Sequence, residues 1–498
     1  MLSSLSAPLS SNYKDTTAHR PLSNKDIFCT LSILFTDTVY FNNQTVRYDA
    51  YDMDRRYFLK QSTLFSIGGL LLPSAILSAC RKEALFEDIS YNGKVLIIGA
   101  GAAGLYAGYI LKSKGVDFQI LEASNTHGGR MGKTTNFAGY TIDNGAQWLH
   151  GQNNILADLV KSTGTNVTLD DSELTYWFNN QLVTSLPKDP FIFEGDNLPD
   201  VSFKDYALQQ GFGNEYANII EAIAGDQGAS ASLLSAYWNS KDEENWVSGF
   251  EDFKFQQSYF DLIDKEIAQP ILNNIVLNTA VKKIDYANTQ IVVTDTLDNT
   301  YVADKVIVTV PISILKLNEI EFYPQLLAEK TTAFSKFGMG PGVKVFLKFN
   351  TKFYDDNIYG GSICAAYADD TVGKETTDNV LLAFVMGDQA QQLTLLGSDA
   401  AITNALLQEL DLMYAGQASA AFESSLVFNY TTKPFIKGAY GYSTVGMGDA
   451  RQVAAKPIDK KLYFAGEAMN INGHHQTVHG AVESGYKAVI DIFNDMQL

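Results

Sequence analysis

The sequence predicts an α/β protein built on a doubly wound, Rossmann-like dinucleotide-binding domain. Three observations carry the prediction. A short β-branched run of buried type, Lys94-Val95-Leu96-Ile97-Ile98, leads into the turn Gly99-Ala100-Gly101-Ala102-Ala103-Gly104. A helical segment follows to about Lys114, and a second strand, Asp117 to Leu121, ends on Glu122. In such a unit Gly99 permits the tight turn, Gly101 lets the backbone approach a pyrophosphate, and Gly104 lets helix and strand pack closely. Glu122 falls about 20 residues after the turn, where a carboxylate accepts from ribose hydroxyls. The unit alone leaves NAD and FAD both open.

The chain has 498 residues, 46% of them hydrophobic and 12% aromatic. That length predicts two or three domains with ample core. Lys and Arg total 37 against 56 for Asp and Glu, a formal net charge of −19. So acidic a chain lacks the basic footprint of nucleic-acid binding. Its three cysteines, Cys29, Cys80 and Cys364, make neither a disulfide framework nor a cysteine-based zinc site.

Residues 1–79 are expected to be an export leader. Asp54-Arg55-Arg56-Tyr57-Phe58-Leu59-Lys60 resembles a twin-arginine export signal, and an apolar run from Leu64 to Leu77 follows, short for a membrane span. Leu77-Ser78-Ala79-Cys80 resembles the lipobox of bacterial lipoproteins, which would make Cys80 a lipid anchor. Met53 stands directly before this signal, so residues 1–52 read as a spurious extension and 53–79 as the signal itself. A buried core helix with an ordinary cysteine is the competing reading.

Beyond the first unit the pattern alternates. Residues 152–270 read mainly helical, as in Ile155 to Thr163 and Tyr216 to Ala224. From Ile275 to Pro311 the pattern turns to β, through Ile275 to Leu277, Ile291 to Thr294 and Val306 to Val310. A strand pair is expected around Val343 to Phe349 and Val380 to Met386, and a C-terminal helix from about Thr477 to Asn494. In Gly342 to Phe349, alternation places Lys344, Phe346 and Lys348 on one face. By pattern alone the two lysines read as solvated.

Four further blocks decide between the dinucleotides. Glu122-Ala123-Ser124-Asn125-Thr126-His127-Gly128-Gly129-Arg130 is a second glycine turn ending on an arginine placed to meet phosphate or flavin. Asp143-Asn144-Gly145-Ala146-Gln147-Trp148-Leu149-His150-Gly151 follows it. Near the C-terminus stand Tyr463-Phe464-Ala465-Gly466-Glu467-Ala468 and Gln476-Thr477-Val478-His479-Gly480-Ala481-Val482. In content and order these blocks resemble the flavin-containing amine oxidases, the family of monoamine oxidases, polyamine oxidases and lysine-specific histone demethylases. The resemblance covers roughly residues 92–493.

It implies a two-domain FAD-dependent amine oxidase fold, with a Rossmann-like FAD domain interleaved with a mixed-sheet and helical substrate domain. Residues 80–151, 265–340 and 435–498 would form the first, and 152–264 and 341–434 the second. Besides Gly99, Gly101, Ala103, Gly104 and Glu122, it implies FAD contacts at Ala123, Gly129, Arg130, Gly145, Ala146, Gln147, Trp148, Val281, Pro311, Tyr430, Gly466, Glu467, Thr477 and Val478. Tyr430 replaces a frequent tryptophan. Lys344, not Lys348, matches the lysine that holds a water beside flavin N5; desolvation there would lower its pKa, and its charge would favour oxygen reduction.

Tyr440 matches one wall of an aromatic cage, with Tyr442 a competing choice and a core role open to either. The opposite wall, a tyrosine in monoamine oxidases, is Thr477 here. His150 matches a substrate-channel histidine of polyamine oxidases, with a core histidine the alternative. Ala439 replaces the cysteine that tethers flavin in monoamine oxidases, so FAD is expected to be noncovalent. His475 and His479 are spaced i, i+4, yet no carboxylate or third ligand accompanies them, and no metal site is expected.

The implied activity is oxidation of an amine, a polyamine or a related primary or secondary amine, to an imine and then an aldehyde, with oxygen reduced to hydrogen peroxide. Lys344, Tyr440, Thr477 and His150 would carry it. Nucleic acid is excluded as a partner, and membrane contact is expected only through Cys80. An L-amino-acid oxidase is the nearest alternative, but Asp143 to Gly151 offers no arginine to clamp a substrate carboxylate. Lys344 argues against carotenoid-type desaturases and protoporphyrinogen oxidases. A flavin-binding surface lipoprotein without catalysis is the alternative from another class.

Overall fold

The computed structural model describes residues 91–496 apart from Glu194 and Asp196. The leader reading on residues 1–79 and the anchor at Cys80 lie outside the described residues. Lys94–Ile98 is the centre of a five-stranded parallel sheet, flanked by Asp117–Leu121 on one side and Lys305–Val308 on the other. Ile275–Val276 and Leu462–Phe464 complete its edges. One sheet therefore gathers strands from the beginning, middle and end of the described chain. Its strands are near-continuous apolar runs because helices or loops cover both faces.

Between Lys94–Ile98 and Asp117–Leu121 runs the helix Ala102–Ser113. The C-terminal helix Val478–Met496 packs on it so closely that a Cβ at Gly485 would overlap the backbone carbonyl of Ala103. Ala103, Leu105, Ala107, Leu111, Val482 and Val489 share one buried core with the sheet. A second core lies on the opposite face, around Leu96, Val306, Val308, Phe334 and Phe464.

The other large sheet has seven strands. Gly342–Phe349 pairs antiparallel with Asn379–Met386 on one side and Phe422–Asn429 on the other. Ala366–Asp369, Asn357–Tyr359, Leu174–Phe178 and Gln181–Val183 extend it. The odd face of Gly342–Phe349 (Val343, Val345, Leu347, Phe349) packs on the helix Asp399–Met413 through Leu406 and Leu410. The even face meets Ile142, Tyr140 and Trp148 through Phe346. Both faces are covered, so the strand is not half-exposed as alternation suggested.

The stretch 152–270 is mainly helical, as the pattern suggested, but it also holds four short strands that the pattern did not show. Ile155–Thr163 and Ala217–Asp226 are helices, but Val167–Leu169, Leu174–Phe178, Gln181–Val183 and Asp252–Phe255 are strands. Each is three to five residues long; Leu174–Phe178 and Gln181–Val183 form a local hairpin, whereas Asp252–Phe255 pairs antiparallel with Trp148–His150 and Val167–Leu169, far away in sequence. Cys364 is fully buried, its Sγ 3.0 Å from the Ala366 carbonyl, and burial raises its thiol pKa well above the usual value. Among the described residues no helix is long and apolar enough to cross a membrane.

The Gly485–Ala103 contact generates a test. Gly485→Val forces the C-terminal helix off its neighbour at a cost of about 2 kcal/mol. The variant should melt several degrees below the parent; an unchanged melting temperature would mean that the two helices do not meet there.

Candidate active site

The first glycine turn is built for close approach. Gly99 has φ of +107°, a conformation that side chains other than glycine rarely adopt. A Cβ at Gly104 would overlap the Gly99 carbonyl, so helix and strand pack there without room for a side chain. At Gly101 the opposite holds: a Cβ would meet no heavy atom within 4 Å. Gly101 is also the N-cap of the helix Ala102–Ser113, which no side chain caps. An open cradle at an uncapped helix N-terminus fits a pyrophosphate. Glu122 is nearly buried; its carboxylate accepts from the Ala100 amide at 2.7 Å and from Ser124 at 2.7 and 2.8 Å. Ala123 is half-buried beside it, and Gly129 lies against the Gly101 backbone.

Arg130 gathers the distant blocks. Its Nη1 donates to Glu467 Oε1 at 2.8 Å and to the Ala439 carbonyl at 2.9 Å. Glu467 also accepts from the amides of Gly441, at 3.1 Å, and Gln476, at 3.2 Å. The carbonyl of Arg130 accepts from the Ala146 amide at 3.1 Å, and Gly145 is packed against that carbonyl and the Tyr430 hydroxyl with no room for a side chain. Gly466 is tied to Ser484 on the C-terminal helix, its amide donating at 2.9 Å. Val478, half-buried, opens that helix. Val281 begins the strand Val281–Asp285, and Pro311 is the N-cap of the short helix Ile312–Lys316.

Lys344 is buried, at 3% exposure. Its Nζ donates to the carbonyls of Gly145, at 2.8 Å, and Asp143, at 3.3 Å, and to Gln147 Oε1. Burial pulls its pKa down to about 8, against the opposing pull of the Asp370 and Asp143 carboxylates. Lys348, on the same face, instead pairs with Asp378 at 3.1 Å nearer the surface. Burial pushes the Asp143 carboxyl up to about 6, resisted by hydrogen bonds from Ser258 and the Tyr259 amide. Trp148 lies close by, its indole N–H donating to Asp170 at 2.8 Å.

A second neighbourhood is aromatic. Tyr440 is half-buried, its hydroxyl 3.0 Å from the Asp226 carbonyl and its ring edge against Gly228. Burial, then Asp226 and Glu467, raise its pKa, so the phenol stays protonated. Tyr442 is instead packed in a core with Phe203, Tyr216 and Leu234. Gln476 donates to the Gln227 carbonyl at 2.9 Å and so brings the Thr477 turn to the loop that holds Tyr440. The Thr477 hydroxyl donates to the His474 carbonyl at 2.7 Å and accepts from the Gly480 amide at 2.9 Å, capping the C-terminal helix. His150 Nδ1 is 2.7 Å from Asp252. Burial works against charge on His150, but Asp252 and Asp226 outweigh it and raise its pKa. Trp246 packs edge-on to His150, His474 and His479. Burial keeps His475 and His479 neutral near pH 7. Among the described residues no three His, Cys, Asp or Glu side chains converge as a metal site.

Two features were missed from sequence. Gln147, assigned to the cofactor, commits its side chain to Lys344 and, through Nε2 at 3.1 Å, to Asp370. Asp370 carried no assignment; its only signal was a pair of acids, Asp369-Asp370, closing an apolar strand.

Comparison with known proteins agrees with this geometry. The family model for flavin containing amine oxidoreductase matches residues 102–266 and 230–492. The chain is 29% identical over 450 residues to probable polyamine oxidase 4 of Arabidopsis thaliana, covering 82% of this chain and 88% of that protein. It is 26% identical over 476 residues to lysine-specific histone demethylase 2 of Homo sapiens, covering 86% of this chain and 56% of the demethylase. It thus spans little more than half the demethylase's length. Among solved structures, putrescine oxidase bound to putrescine superposes with a TM-score of 0.70 at 20% identity, over 81% of this chain and 99% of that one. Cyclohexylamine oxidase from Brevibacterium oxydans IH-35A also gives 0.70, at 19% identity, over 82% and 100%. Matched along most of its length, and with the glycine cradle, Arg130 and Lys344 gathered from distant segments, the chain belongs to the flavin containing amine oxidoreductases and is an FAD-dependent amine oxidoreductase.

Proposed function

We propose that the protein oxidises a polyamine or a related primary or secondary amine to the imine, which water hydrolyses to an aldehyde, with oxygen reduced to hydrogen peroxide. The observation that carries this reading is Lys344, a buried ammonium tied to the loop 143–147 beside the dinucleotide cradle. Bound FAD would supply the two-electron redox chemistry between amine and oxygen. Gly99, Gly101, Ala103, Gly104, Glu122, Ala123 and Gly129 would hold its phosphates and ribose, with Val281 toward the adenine. Arg130, Gly145, Ala146, Gln147, Trp148, Pro311, Tyr430, Gly466, Glu467, Thr477 and Val478 would line the rest. Ala439 stands where a tethering cysteine would, so attachment is noncovalent.

Tyr440 would guide the amine by its ring face, which tolerates a cation in transit. His150, backed by Asp252, would hold a charge near the channel. Thr477, with its hydroxyl engaged in capping, would offer only its methyl group as the opposite wall. Export by the twin-arginine route and anchoring at Cys80 complete the proposal. The overlap with polyamine oxidase 4, over 88% of that protein, supports the substrate class.

Two outcomes are expected. With a panel of putrescine, spermidine, spermine, acetylated polyamines, tyramine and L-amino acids, peroxide and aldehyde should form from one polyamine group at a kcat/KM at least tenfold above tyramine or any amino acid. Preference for an amino acid would overturn the assignment. The cation of Lys344 is its acid form, and its pKa lies at about 8. Rapid-mixing reoxidation of reduced flavin should therefore slow as pH rises through about 8. Lys344→Met should keep FAD bound, reoxidise at least tenfold more slowly below pH 8, and lose the pH step; unchanged kinetics would remove Lys344 from the mechanism.

A further inference from the structure

Lys344 is held by more than the loop beneath it. Its three nearest acceptors match the three hydrogens of an ammonium: the Asp143 carbonyl, the Gly145 carbonyl and Gln147 Oε1. Gln147 passes the contact on, its Nε2 donating to Asp370 Oδ1 at 3.1 Å. The other Asp370 oxygen accepts from the Tyr140 hydroxyl at 2.7 Å, and the Asp370 amide donates to the Val380 carbonyl at 2.9 Å. Lys344, Gln147 and Asp370 are each 5% exposed or less. The amide orientation is fixed by its ends, because a flipped Gln147 would set NH2 against ammonium and oxygen against carboxylate.

We infer that Asp370, acting through Gln147, is a positioning residue that fixes Lys344 Nζ and sustains its positive charge. The groups facing Lys344 are Asp143, Asp370 and Lys254. The Asp143 carboxylate is engaged by Ser258 and the Tyr259 amide, and only its carbonyl touches Lys344. Lys254 opposes the charge from its place between Asp170, at 3.4 Å, and the Asp369 carbonyl, at 2.9 Å. Lys374 and Tyr140 flank Asp370 from the other side. Asp370 is the strongest influence keeping Lys344 protonated, ahead of Asp143. In so dry a setting an opposite charge passed through an oriented amide is felt strongly. The effect on oxygen chemistry rests on the placement of Lys344 beside the flavin proposed above; the link itself does not.

The test uses the flavin-loaded chain labelled with 13Cε-lysine, the Lys344 signal being assigned by its loss in Lys344→Met. Asp370→Asn should move the Lys344 titration midpoint down by about one pH unit. Gln147→Leu keeps the acid but cuts the link, and should move it in the same direction. Unchanged midpoints in both variants would overturn the inference, and either variant suffices should the other fail to fold. The reduction potential of the bound flavin against pH, read on the same samples, should break at the same shifted midpoint. A Lys344 midpoint that moves without moving that break would support the link and overturn the placement of Lys344 beside the flavin.

Discussion

The ion pair between Arg130 and Glu467 joins residues 337 positions apart, and the site depends on it. Arg130 ends the second glycine turn, immediately after the strand-helix-strand unit; Glu467 opens the turn after the last strand of the parallel sheet. Through the guanidinium and backbone carbonyl of Arg130 and the carboxylate of Glu467 the structure fixes the Gly145 loop, the Ala439–Gly441 backbone and the amide of Gln476 relative to one another. Glu467 is almost wholly buried and Arg130 about a quarter exposed. Removing one partner of such a pair leaves a charge in a poor solvent, which costs far more than the pair contributes by attraction. Interleaving follows from the same constraint, since the dinucleotide-binding sheet closes only when the end of the chain returns to its beginning.

Around this junction two neighbourhoods of different character meet. On one side Lys344, Asp143, Asp370 and Lys254 form a dry charged cluster, in which burial lowers the pKa of Lys344 and raises that of Asp143. On the other, Tyr440, Trp246 and His150 form an aromatic and histidine-bearing group watched over by Asp226 and Asp252. The first suits a fixed charge beside a redox centre, the second the handling of an amine on its way in. The family's division of labour between cofactor and protein is met here by electrostatics on one wall and shape on the other.

Much of the cofactor half was legible because its signals are local. Lys94–Ile98, the glycine turn and the helix to Ser113 declare themselves within 20 residues, and the strands Ile291–Asp295 and Lys305–Val308 carry unmistakable β-branched runs. Lys344 was legible only through resemblance, since alternation alone made it a surface lysine. Its burial comes from Ile142, Tyr140 and Trp148 covering the even face of its strand, a contact across some 200 residues that no periodicity encodes. For the same reason Val167–Leu169 and Asp252–Phe255 were lost within a mainly helical reading, because each is defined by a partner far away in sequence. That the Thr477 hydroxyl caps the C-terminal helix was not legible in the sequence. Asp370 belongs to the segment of the seven-stranded sheet that shares no motif with the loop it supports.

The central claim is that an amine delivers its electrons to a flavin held in this cradle. Anaerobic titration of the purified chain, from Arg81 onward, measures it directly through the visible spectrum. Addition of a polyamine should bleach the oxidised flavin rapidly and stoichiometrically, and readmitted oxygen should restore it. A flavin spectrum that no amine disturbs would contradict the account, and a colourless protein would contradict it at its foundation.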